Sequence, residues 1–176
     1  MDPKDRLPAE WPDFDLGGML RRLTAAKVDF VVIGGIAVVA SGYVRMTRDL
    51  DIAFGGDAPN LAALGEVLTG IDARLRGLDE EVPFVADAHT LAGIQLLTLD
   101  TSLGWLDVHK LVPGIESYEK LRERAVSIEL EGASVLVASV DDLLAMKRAA
   151  GRPQDGLDIE ALESIKRLRE EEESLR

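Results

Sequence analysis

Two aspartates separated by one residue, Asp49-Leu50-Asp51, open the run Asp49-Leu50-Asp51-Ile52-Ala53-Phe54. The alternation reads as a strand on which Asp49 and Asp51 share one face, while Leu50 and Ile52 turn into a core. Two carboxylates so placed raise each other's proton affinity, and a hard divalent cation, Mg²⁺ or Mn²⁺, relieves the repulsion while keeping coordination sites for phosphate oxygens. Alternating aspartates on a solvent-facing strand are the plain alternative. A third acid, Asp107, lies between apolar neighbours in Trp105-Leu106-Asp107-Val108. If its strand lies beside the first, three carboxylates converge. Three acids can hold two metals about 3.5–4 Å apart, an arrangement that activates an attacking oxygen and stabilises a departing phosphate. Upstream, Gly34-Gly35 follows an apolar run. The pair is either a tight turn or a place where backbone N–H groups approach a phosphate. The stretch lacks the GxGxxG spacing of a dinucleotide fingerprint and the GK[ST] of a P-loop.

These residues need elements to position them. Residues 1–14 read as an irregular leader. A helix begins at Asp15, with Leu16, Met19, Leu20 and Leu23 on one face. Residues 28–33 read as a buried strand ended by Gly34-Gly35, and Ile36–Ala40 as a short packed helix closing at Gly42. The acid-bearing strand Asp49–Phe54 follows, then a helix from Pro59 to about Thr69. Residues 73–78 hold a short strand, and Asp79-Glu80-Glu81 a variable loop. Residues 93–99 and 105–110 form a hairpin through Asp100–Gly104. Tyr118–Arg124 is a short helix, and 126–130 with 134–137 a second hairpin through Glu131-Gly132. Ser139 caps a helix over 141–150, Gly151-Arg152-Pro153-Gln154 breaks it, and a last helix runs from Asp155 to a frayed charged end at Glu170–Arg176. The fold class is α/β (α+β): a mixed β-sheet flanked by helices, with a helical C-terminal part at 139–176 in one domain.

Composition narrows the chemistry. The 176 residues carry 32 Asp plus Glu against 20 Lys plus Arg, a formal net charge of −12, so wrapping a long nucleic acid by charge is disfavoured. With no cysteine, thiolate metal sites and cysteine nucleophiles are excluded; with two histidines, His89 and His109, so is a multi-histidine centre. No apolar stretch serves as a signal-peptide core or membrane span, and a cytoplasmic protein is expected.

Taken together, Val32-Ile33-Gly34-Gly35, Arg45-Met46-Thr47-Arg48-Asp49-Leu50-Asp51 and Leu106-Asp107-Val108 resemble the minimal nucleotidyltransferase pattern of the DNA polymerase β superfamily. The form is similar to small bacterial nucleotidyltransferases, including abortive-infection-type toxins and relatives of aminoglycoside nucleotidyltransferases. The stretch from Leu143 to Asp158, with Lys147 leading into Gly151-Arg152-Pro153, is similar to the same group. The resemblance implies a nucleotidyltransferase fold. It also implies that Gly34 and Gly35 cradle the triphosphate, that Asp49, Asp51 and Asp107 hold Mg²⁺ or Mn²⁺, and that Asp107 is the general base. Arg45 then contacts phosphate or a neighbouring carboxylate, and Thr47 phosphate or the turn before the strand. Lys147 either reaches a phosphate or is a solvent-facing helix lysine. Arg152 and Asp155 suit a structural latch and helix cap. His109, on the face of Asp107, is either a bland polar histidine or an orienting group for the acceptor.

The implied reaction moves a nucleoside monophosphate from an NTP to a hydroxyl of a small molecule, a tRNA end or a protein, with pyrophosphate released. A toxin acting in this way would have a cognate antitoxin as partner. The alternative from another class is a non-catalytic nucleotide-binding or regulatory module on the same fold.

Overall fold

In the computed structural model, which describes residues 13–77 and 82–176, a seven-stranded mixed sheet carries both aspartate strands near its middle. The elements in chain order are α1 (Leu16–Ala25), β1 (Phe30–Ile33), α2 (Gly34–Ala40), β2 (Asp49–Phe54), α3 (Ala58–Gly70), β3 (Arg74–Leu75), α4 (Ala88–Gly93), β4 (Leu96–Thr101), β5 (Gly104–His109), α5 (Tyr118–Arg124), β6 (Val126–Leu130), β7 (Ala133–Val137), α6 (Val140–Ala150) and α7 (Asp155–Ser174). The strand order is β3-β4-β5-β2-β1-β7-β6. β2 runs antiparallel to β1 and parallel to β5, so the glycine pair after β1 meets the acid-bearing start of β2.

The period-two pattern divides β2 and β5 cleanly between two environments. Leu50, Ile52, Leu106 and Val108 are wholly buried, whereas Asp49, Asp51, Asp107 and His109 lie on the opposite face. Helix α2 packs on β1 and β2 and meets α6, and α7 packs along α6. These helices bring the C-terminal part against the carboxylate face.

Several expected boundaries move, each for a local reason. β1 starts at Phe30 rather than Val28: the Asn60 side chain takes the Asp29 N–H (2.7 Å) and donates to the Asp29 carbonyl (3.0 Å), which also accepts the Gly55 N–H (3.1 Å). The expected strand at 93–99 is β4 at Leu96–Thr101, preceded by a helix α4 that has no counterpart in the expectation. Asp87 caps α4 by accepting the Thr90 N–H at 2.7 Å. The hairpin turn shrinks to Ser102-Leu103, because Thr101 pairs with Gly104 and donates its hydroxyl to the Gly104 carbonyl (2.6 Å). The expected strand at 73–78 is only Arg74–Leu75, and residues 78–81 lie outside the described residues, as do 1–12 of the leader. The last helix, α7, continues through the expected charged end to Ser174, and Arg169 donates to the Ser41 carbonyl at 3.2 Å. No helix among the described residues is long and apolar enough to cross a membrane.

Candidate active site

The parallel pairing of β2 with β5 decides where the acids fall. Asp51 is the register partner of Asp107, and Asp49 that of Trp105, so the three carboxylates share one patch of sheet. All three line a cleft of about 820 Å³ between the sheet and the α6–α7 region, as do Gly34 and Gly35. The cleft is within the usual size of small-ligand sites.

Gly34 opens α2 with φ +66°, a left-handed conformation that favours glycine, and an added Cβ would stand 2.3 Å from Asp51 Oδ2. At Gly35 an added Cβ would stand 2.6 Å from Thr47 Oγ1. The backbone therefore approaches the acids as closely as the absence of side chains allows. No side chain caps this end of α2, whose N-cap position is the apolar Ile33. Thr47 donates to Asp49 Oδ1 at 3.2 Å and so ties the turn to the strand it precedes.

Two further side chains hold the acids. His109 Nε2 lies 3.1 Å from Asp51 Oδ1, which places the histidine in the constellation rather than leaving it a bland polar residue. Arg76, just past β3, donates to Asp107 Oδ1 at 2.7 Å and lies over the Trp105 ring, 4.9 Å from its centroid. Burial pushes the Asp107 carboxyl up to about 6. Arg76 opposes this, the Asp51 and Asp49 charges add to it, and His109 draws it down. Nothing in the local sequence around Arg76 marks it, because its partner lies 31 residues away.

Lys147 and the α7 acids depart from the sequence reading. Lys147 is not a solvent-facing lysine: it is buried, with Nζ 3.0 Å from Asp155 and 2.9 Å from Asp158. Asp155 does not cap α7, whose N-cap is Gln154 without a side-chain bond; it is instead buried against Lys147 and Arg152 (3.0 Å). Burial alone would raise Asp155, but the hydrogen bonds from Arg152 and Lys147 hold it below the usual carboxylate range. The latch expected between Arg152 and Asp155 is present. Asp158 also receives Arg45, which reaches a carboxylate as one of its two expected partners.

Carboxylate oxygens are the donors that a hard divalent cation takes, and Asp49, Asp51 and Asp107 share one face of the sheet, so the residue set fits such an ion in type. Among the described residues, however, no three His, Asp or Glu side chains have their donor atoms gathered around one point. Asp107 and Asp51 are instead held by Arg76 and His109.

The model of a family described as "nucleotidyltransferase of unknown function" (DUF6036) matches residues 19–171, nearly the whole chain. The chain belongs to this family. No curated protein matches this nucleotidyltransferase. Among solved structures, it is similar to the lincosamide antibiotic adenylyltransferase LnuA bound to lincomycin, at 20% identity and TM-score 0.59, covering 85% of this chain and 95% of that one. It is also similar to ANT(2″)-Ia in complex with adenylyl-2″-tobramycin, at 14% identity and TM-score 0.53, covering 89% and 93%. A third likeness is an antigenic nucleotidyltransferase-like protein from Paracoccidioides brasiliensis, at 18% identity and TM-score 0.51, covering 87% and 74%. At these identities the likeness shows a shared fold.

Proposed function

We propose that this nucleotidyltransferase moves a nucleoside monophosphate from an NTP to an acceptor hydroxyl in the cytoplasm, using Asp49, Asp51 and Asp107 with Mg²⁺ or Mn²⁺. The observation that carries the reading is the register pairing of Asp51 with Asp107 on parallel strands, with Gly34 packed against the Asp51 carboxylate. Gly34 and Gly35 present N–H groups to the triphosphate where any side chain would block it. Asp49 and Asp51 hold the divalent ion, and Asp107 completes its ligands. When bound, that ion supplies charge neutralisation at the phosphates. Asp107 accepts the proton of the acceptor hydroxyl as general base. The acceptor oxygen forms a bond to the α-phosphorus, the α–β bridging bond breaks, and pyrophosphate leaves with the electron pair. Arg45, Thr47 and the buried Lys147 steady the phosphate end directly or through Asp158 and Asp49.

The test is transfer from α-labelled NTP. Asp49→Ala should lower labelling by about 10³-fold, the scale set by losing several kcal/mol of metal-borne stabilisation. Equal labelling by both proteins would sink the assignment. The pairing of Asp107 with Arg76 favours a second reading, a nucleotide-binding module without turnover. Calorimetry showing Mg-NTP binding with no transfer to any acceptor would support it. The lincosamide and aminoglycoside enzymes of the same fold make a small-molecule acceptor the first choice. A toxin role, with a cognate antitoxin, predicts growth arrest on induction that Asp51→Ala abolishes.

A further inference from the structure

The same-face residues follow a fixed order across the sheet. Gly34 at the end of β1 lies against Asp51 of β2; Asp51 lies beside Asp107 of β5; Asp107 lies opposite Thr98 of β4, and His109 opposite Leu96. In an in-line displacement the attacking oxygen enters opposite the departing pyrophosphate. With pyrophosphate on the Gly34 side, the acceptor comes from the β4 side of Asp107.

That side of the cleft has a distinct chemistry. Leu96 and Leu111 line it while 48% and 60% exposed, and Val112 and Pro113 continue them into one apolar wall where the chain leaves β5. The polar groups among them are those of Thr98 and Gln95. Among the described residues lining the cleft, the Lys and Arg side chains are Arg45, Lys147 and Arg152, each paired with Asp155 or Asp158 at the α7 end. The carboxylates lining it are those two and the three site aspartates. Arg76 and His109 reach this side but are paired with Asp107 (2.7 Å) and Asp51 (3.1 Å). Among the described residues, the β4 wall itself therefore carries no Lys or Arg for an RNA backbone and no spare carboxylate for a polycation.

We infer that the β4 side of the cleft is the acceptor subsite, and that it takes a small, uncharged hydroxyl compound presenting an apolar face to Leu96, Leu111 and Val112. Thr98 and Gln95 orient the hydroxyl toward Asp107. This inference rests on the nucleotidyl-transfer reading for its geometry and adds the acceptor's class.

The experiment follows methyl and amide resonances of the full chain with Mg²⁺ and a non-hydrolysable ATP analogue. The probes are hexyl β-D-glucoside, butyl β-D-glucoside, methyl β-D-glucoside and a short RNA hairpin with a single-stranded 3′ end. The hexyl compound is expected to shift the Leu96, Leu111 and Val112 methyls, with affinity rising two- to fourfold per added CH₂ along the series. Leu111→Glu, at an exposed position that leaves the core intact, should weaken the hexyl compound at least tenfold. Absence of these shifts up to roughly 10 mM hexyl glucoside, a limit of very weak binding, overturns the inference. So does an RNA hairpin that shifts the same methyls. Failure of the parent reading looks different: the ATP analogue then leaves the Gly34 and Gly35 amides unmoved, whatever the glucosides do.

Discussion

At the scale of single residues, the site is set by what each side chain stands next to. Gly34 combines a positive φ with an Asp51 oxygen where its Cβ would be, so Gly34→Ala must move either the backbone or the carboxylate. We expect kcat/KM for NTP to fall at least about tenfold and stability to fall by about 1–2 kcal/mol, read by initial rates and urea unfolding. Gly70→Ala, with nothing within 4 Å, is the control and should change neither. Asp107 makes a second expectation. Its carboxyl binds a proton more tightly in the folded protein (about 6) than in an unfolded chain (about 3.9). The stability this contributes is fully present below the unfolded value and is lost as pH rises through about 6. Metal-free protein should therefore lose roughly 1–2 kcal/mol from this group between pH 4 and 7.5, a figure reduced because the carboxyl keeps some solvent. Asp107→Asn should remove that slope. An unchanged difference between wild type and variant across this range would show that Asp107 is not so perturbed.

At the scale of elements, the α6–α7 junction rests on a buried cluster, in which Lys147 neutralises Asp155 and Asp158 and Arg45 brings the β2 approach to the same place. Lys147→Met leaves two carboxylates short of an ammonium, and should cost about 3–5 kcal/mol by urea unfolding while exposing α7 amides to exchange. Adding Asp155→Asn should restore part of the loss, and strict additivity of the two changes would argue against the cluster. The same region shows how far a sequence can be read. Asp49–Phe54, Tyr118–Arg124 and 126–130 were legible to the residue, the first by alternation and the last by its Glu131-Gly132 turn, both local signals. Asp49 and Asp51 stood out as an alternating pair of acids on one strand, and Asp107 as an acid between apolar neighbours. α4 did not, since six residues with one buried leucine carry no period. Lys147, Asp158 and Arg76 were visible as charges, but their partners are set by tertiary contacts 11, 113 and 31 residues away, which no local pattern encodes.

At the scale of the whole molecule, the formal charge of −12 acts on every anion that approaches. Mg-NTP is itself anionic, and the three Lys and Arg side chains lining the cleft are already paired with the α7 acids. Long-range repulsion is therefore not cancelled at the mouth, and salt should relieve it. At fixed free Mg²⁺, raising KCl from about 50 to 200 mM should lower KM for NTP, by roughly twofold, or leave it unchanged. A protein that binds its substrate through a basic surface behaves in the opposite way, losing affinity steeply over the same interval. Steady-state kinetics against salt thus separates the two architectures without knowledge of the natural acceptor. A KM that climbs several-fold with KCl would mean that unpaired cations reach the triphosphate, which would require Arg45 or Lys147 to leave Asp158 when nucleotide binds. Asp158→Asn distinguishes that outcome, since freeing Arg45 in advance, while Lys147 keeps Asp155, would lower KM at low salt and make the salt dependence steeper.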